Sequence, residues 1–103
     1  MTSKEKIKKI QAVIDHPGRE RTYYILLVDL GDLKGNYADY MTTKPINCSE
    51  ELQRVANADY ELCTALLTAI LREDHFSNGS FEHRQRAGQV DEILKRMVAE
   101  LNK

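Results

Sequence analysis

The sequence predicts a mainly α fold, a compact bundle of about five or six helices, and three observations carry that prediction. Two stretches, 59–73 and 89–102, repeat apolar residues at helical spacing over several turns. Residues that cap helix starts stand in front of the helical stretches at Thr2, Asn47 and Asp59. Breakers fall between the stretches, at Pro17-Gly18, Asn78-Gly79 and Gly88. Only residues 22–43 leave room for a small β-hairpin instead.

Taken in order, Thr2-Ser3-Lys4-Glu5 has capping-box spacing, in which the Thr2 hydroxyl and the Glu5 carboxylate each satisfy a free backbone amide. Ile7, Ile10, Val13 and Ile14 follow on one face, and the residue before Pro17 is pushed out of the helical region, so a helix is expected over 3–15. Residues Tyr23 to Val28 are rich in strand formers and could pair with 37–43. Yet Tyr23, Leu26, Leu27, Leu30 and Leu33 also form a helical stripe that Gly35 could close, and an isolated hairpin is marginal in water. Helix is the favoured reading there.

Asn47-Cys48-Ser49-Glu50 repeats the capping-box spacing, with Ser49 as a competing cap, and opens a short helix over 49–57. Asp59 caps the next, 59–73. There Leu62, Cys63, Ala65, Leu66, Leu67, Ala69, Ile70 and Leu71 cover most of the circumference, the pattern of a helix buried at the centre of its fold. Ser80 is placed to cap a short helix over 80–87 that Gly88 ends. The last helix, 89–102, aligns Val90, Ile93, Leu94, Met97, Val98 and Leu101. Its outer face offers Asp91–Lys95, Glu92–Arg96 and Arg96–Glu100 as pairs one turn apart.

With 103 residues, one globular domain spanning 1–103 is expected, and 42% hydrophobic with 30% charged residues separates the chain from disordered compositions. The longest apolar run, Tyr23 to Val28, is far short of the roughly 20 residues that span a bilayer, so no membrane role is expected. Cys48 and Cys63 follow no export signal and read as reduced thiols of a cytoplasmic protein. Without export the glycosylation-type triplets at Asn47 and Asn78 have no chemistry behind them. Net charge is −1, but residues 1–21 are basic (+3) and residues 22–60 acidic (−3). That asymmetry suits an intramolecular or dimer-forming pairing, or two solvated faces.

Residues Asp59-Tyr60-Glu61-Leu62, the junction Arg72-Glu73-Asp74-His75-Phe76-Ser77-Asn78-Gly79, and the closing run Gly88 to Ile93-Leu94-Lys95-Arg96 form a familiar series. Over residues 50–99 the chain resembles the C-terminal half of an uncharacterised bacterial domain family of unknown function. His75 stands where that family commonly has arginine, and Ser77 where it has cysteine. The family's N-terminal half is usually longer and carries strands, so the first half of this chain looks shortened or different. The resemblance implies a helical second half and no particular activity.

Candidate chemistry is sparse. Cys63, His75 and His83 lack the close ligand pair of a structural zinc site, so neither metal nor cofactor is expected. Cys63 has neither a local cation nor a helix start to activate it as a nucleophile, and Cys48 has a helix start as its single such feature. Glu73-Asp74-His75 and Glu82-His83 could serve acid–base work only with a pocket and a second positioned group. An enzyme with an unrecognised site is therefore the third reading. The second is a nucleic-acid-associated regulator using the basic first helix and the 80–87 helix, where Arg84 and Arg86 lie. The first is a non-catalytic protein-interaction or regulatory module with an unidentified protein partner, its oligomeric state open.

Its candidate surface is the junction: Arg72, Asp74, His75, Glu82, His83 and Arg84 around the Asn78-Gly79 turn. The competing reading makes these charges ordinary helix-end groups and Phe76 the anchor of the turn in the core, a loss of about 3 kcal/mol on truncation. In that case His75→Ala and Arg84→Ala are expected to cost at most about 1 kcal/mol each.

Overall fold

A computed structural model describes residues 1–103. Six α-helices follow in order: α1 (Ser3–Asp15), α2 (Glu20–Leu30), α3 (Cys48–Glu51), α4 (Tyr60–Phe76), α5 (Ser80–Arg86) and α6 (Gln89–Leu101). Two 3-10 segments, Tyr37–Tyr40 and Leu52–Asn57, complete the chain, and it contains no strand. The mainly α prediction holds, and residues 22–43 form no hairpin.

The helix starts are local in origin. Thr2 and Glu5 make both bonds of the capping box, Asn47 Oδ1 accepts from the Glu50 amide, and Asp59 Oδ1 accepts from the Leu62 amide. Ser49 does not compete for the α3 cap. Its hydroxyl lies instead within 3.3 Å of the Arg84 guanidinium. α4 is the centre of the molecule: eight consecutive residues, Cys63–Ile70, are buried. It packs against α2, α3, α5 and α6, while α1 lies chiefly on α6. One apolar cluster links Ile10, Leu27, Val55, Leu66, Ile70, Phe81, Ile93 and Met97.

Four expectations are corrected. First, α2 stops at Leu30, not before Gly35. Gly31 takes the left-handed conformation (φ 74°) that closes a helix, and its amide meets the Leu27 and Val28 carbonyls; Leu33 is left on the surface. Second, Ser80 does not cap α5: its hydroxyl has no partner, and the cap comes from Asp74, whose Oδ1 accepts from the Gly79 and Phe81 amides. Third, Arg96 pairs with Glu100 at 2.8 Å and donates to the Ala58 carbonyl, leaving Glu92 out. Fourth, Phe76 is no anchor. It is 80% exposed, and Phe81, 1% exposed and tilted against Tyr23, fills the core in its place.

A buried carboxylate ties the loop before α3 to the bundle. Glu51 accepts from the Thr42 and Thr43 amides and hydroxyls and from the Arg54 guanidinium at 2.8 Å. Burial by itself would favour the neutral acid, but these donors outweigh it and bring the carboxyl pKa from 4.5 to about 2. Asp32 acts in the same way on the α2–α3 connection, accepting from Lys6 Nζ at 2.7 Å and from the Tyr60 hydroxyl. Here too burial opposes the charge, and the Lys6 and Tyr60 bonds hold the pKa below its ordinary value.

Candidate interaction site

The junction between α4 and α5 divides its charged residues between two tasks. Arg84, on the inner face of α5, is only 8% exposed. Its Nε and Nη2 donate to the two Glu73 oxygens at 2.6 and 2.8 Å, a bidentate pair between α5 and α4. Nη1 donates to Gln89 of α6 and Nη2 to Ser49 of α3, so one guanidinium joins four helices. Asp74 is occupied as the α5 cap, and Glu82 pairs with Arg86 on the surface of α5. Arg84, placed in the sequence reading among residues whose loss costs little, is a structural staple.

Arg72 and His75 stand apart from this network. Both lie on α4, three positions apart and therefore on one face, and both are exposed. Of the arginines beyond residue 50, Arg54, Arg84, Arg86 and Arg96 each hold a carboxylate, and Arg72 holds none. His75 packs edge-on against Phe76, with ring centroids 5.2 Å apart, so the exposed phenylalanine extends the same face.

These side chains border an open cleft of about 480 Å³ between α2, the turn after it, and the C-terminal half of α4. Tyr24 comes from α2, Leu33, Lys34 and Tyr37 from the turn, and Leu71, Arg72 and His75 from α4. The turn is fixed onto α4 by the Lys34 amide, which donates to the Thr68 hydroxyl at 3.3 Å. That hydroxyl in turn donates to the Thr64 carbonyl within the helix. The Lys34 ammonium pairs with Glu61, and this bond raises its pKa. No carboxylate lines the cleft, so it offers apolar and tyrosine surface beside an uncompensated guanidinium.

The six residues singled out in the sequence therefore do not share one surface. Arg72 and His75 meet in the cleft. Asp74 and Glu82 line a separate polar hollow with Arg19 and Gln85, and Arg84 lines a third with Glu73. His83 is exposed outside all three. Nothing in the sequence marks Leu33 or Lys34 as site residues, and Tyr24 and Tyr37 are marked only as members of a tyrosine cluster. That cluster, at 23, 24, 37 and 40, is the one local sign of the cleft.

The thiols are placed for packing. Burial pushes Cys48 up to about 11, with the nearby Glu73 charge adding to it, and pushes Cys63 up to about 12. The helix-start effect proposed for Cys48 is overridden. Cys63, His75 and His83 are not brought together, since the cysteine is inside α4 and both histidines face outward. No helix is long and apolar enough to cross a membrane.

Fold and site together define an all-helical protein with an open, cation-bearing cleft on the flank of its central helix. The chain belongs to DUF6508, a family of unknown function, which it matches over residues 28–103. The match reaches from α2 to the C-terminus, further than the 50–99 segment on which the resemblance rests, and includes every cleft residue except Tyr24. No curated protein and no solved structure matches the chain.

Proposed function

We propose that the protein is a non-catalytic interaction module, acting as one domain in the cytoplasm, with the α2–α4 cleft as its working surface. The observation that carries this reading is the contrast at the junction. Most of its charged groups are bound within the molecule, whereas Arg72 and His75 are free, exposed and set beside apolar surface. A cleft with an apolar floor and a few polar groups is the usual form of a recognition site. The nucleic-acid reading finds three of its cations already paired, since Asp32 holds Lys6, Glu73 holds Arg84 and Glu82 holds Arg86, and keeps Lys4, Lys8 and Lys9 on the exposed side of α1.

The test is capture from an extract of the native cell by the full chain, compared with the double variant Arg72→Ala/His75→Ala. His83→Ala, exposed but outside the cleft, is the control. A protein held by wild type and His83→Ala and reduced at least about ten-fold by the double variant is expected, the loss of a central contact. Equal capture by all three would remove the cleft from the function. Release of the captured material by nuclease would favour the nucleic-acid reading.

A further inference from the structure

We infer that the outward face of α2 is a self-association surface that pairs antiparallel with α2 of a second copy of this chain. Helix α2 buries Tyr23, Leu26, Leu27 and Leu30 and turns Arg21, Tyr24, Ile25, Val28 and Asp29 outward. Tyr24, Ile25 and Val28 are 49%, 45% and 50% exposed, so three of the seven large apolar residues left on the surface sit on one short helix face. Tyr24 stands where this face meets the cleft, and Ile25 and Val28 lie along its middle.

The charges on this face indicate what covers it. Arg21, Ile25 and Asp29 stand four residues apart in one row, with the isoleucine at the centre and opposite charges at the ends, about 12 Å apart along the axis. Neither Arg21 nor Asp29 pairs within the chain, unlike the exposed Glu82–Arg86 and Asp91–Lys95 pairs one turn apart on α5 and α6. A row of this kind is its own complement when reversed. A two-fold axis through Ile25 brings Arg21 of each copy toward Asp29 of the other and closes Ile25 against its mate, an isologous contact. A parallel arrangement would set arginine on arginine and aspartate on aspartate, so the charge order selects the antiparallel one. Five outward residues of an eleven-residue helix make a face that is small beside the standard interface, so a weak, reversible dimer is expected and not an obligate one.

Sedimentation equilibrium of the full chain from about 1 µM to 1 mM tests this, on variants whose far-ultraviolet circular dichroism matches wild type. Wild type is expected to pass from monomer to dimer within that range, and Ile25→Lys to remain monomeric. Arg21→Asp and Asp29→Arg are each expected to weaken the dimer about ten-fold, and the double swap Arg21→Asp/Asp29→Arg to recover to within about three-fold of wild type, because only the swap restores opposite charges across the axis. A wild-type monomer at every concentration would overturn the inference. So would a dimer indifferent to Ile25→Lys, which would place the contact elsewhere, or a double swap no stronger than the single variants. Cleft variants such as Arg72→Ala are expected to leave the dimer unchanged, which separates this surface from the cleft.

Discussion

Two phenylalanines and two arginines, all within residues 72–84, have opposite fates on the two sides of one turn. On the α5 side, Phe81 fills the core and Arg84 is locked to Glu73, Gln89 and Ser49. On the α4 side, Arg72 faces solvent with no carboxylate partner, and Phe76 faces solvent against the likewise exposed His75 ring. Composition does not distinguish the pairs. What separates them is direction: Phe81 and Arg84 are on the face of α5 packed into the bundle, and Arg72 and Phe76 are on the exposed face of α4, whereas Glu73 and Asp74 beside them bond to α5. A residue type becomes structural where the fold supplies partners on several sides, and it is left for recognition where the fold supplies none.

Truncation should break this symmetry most visibly at the aromatics. Phe81→Ala is expected to cost about 4 kcal/mol, because it empties a closed site beside Tyr23, whereas Phe76→Ala should stay within about 0.5 kcal/mol. Urea unfolding followed by circular dichroism measures both, and similar losses would refute the assignment of inner and outer sides. Next in size is Arg84→Ala, expected to cost about 2 to 3 kcal/mol. It strips Glu73 of both its bonds and leaves Gln89 and Ser49 unpaired. Arg72→Ala in the same assay is expected to be neutral within about 0.5 kcal/mol.

The phenylalanine reversal was partly legible in the sequence. Phe76 is one turn beyond Arg72, and a charge at that position marks a helix face that has already left the core. Phe81 shares its face with Gln85, whose amide reaches the Tyr23 hydroxyl and the Gly18 carbonyl. That contact crosses more than sixty residues and has no local trace. The same division holds elsewhere. Thr2, Asn47 and Asp59 announced their helices because a cap is settled within four residues. Gly31 has no local mark that sets it above Gly35, since the stripe continues through Leu33 and nothing local tells that leucine from its buried predecessors. Glu51 looked like one more acid in a short helix, and its donors Thr42 and Thr43 lie in a loop with no pattern. The cleft was least legible, because its lining comes from three separate segments that only the packing of α2 on α4 brings together.

Glu51 extends the comparison to carboxylates, with a smaller effect that pH can read. Its folded-state pKa of about 2 lies below the ordinary 4.5, so its contribution is complete above about pH 4.5 and is lost as pH falls toward and through 2. Glu51→Gln cannot lose that contribution on acidification. Its stability is therefore expected to fall less steeply than that of wild type between pH 5 and 2.5, the two curves converging at the acid end. Other carboxylates titrate equally in both proteins, so the difference isolates Glu51. Parallel curves would mean that its hydrogen bonds do not favour the charged form.

The smallest effect expected on stability is at His75, and it bears most directly on function. His75 is exposed at the end of α4, and its ring meets that of Phe76, itself 80% exposed. An edge-on contact between two solvated rings adds little, so His75→Ala should leave the unfolding midpoint within about 0.3 kcal/mol of wild type. If its place is at the edge of a recognition cleft, the same change should still lower partner capture several-fold, through lost contact and lost hydrogen bonding. Stability and capture are then uncoupled at His75, whereas at Arg84 they fall together because the fold itself is weakened. A His75→Ala protein that is as stable as wild type and captures the partner equally well would show that exposure at this end of α4 serves no recognition, and the cleft would have to work through Arg72 and Tyr24 alone.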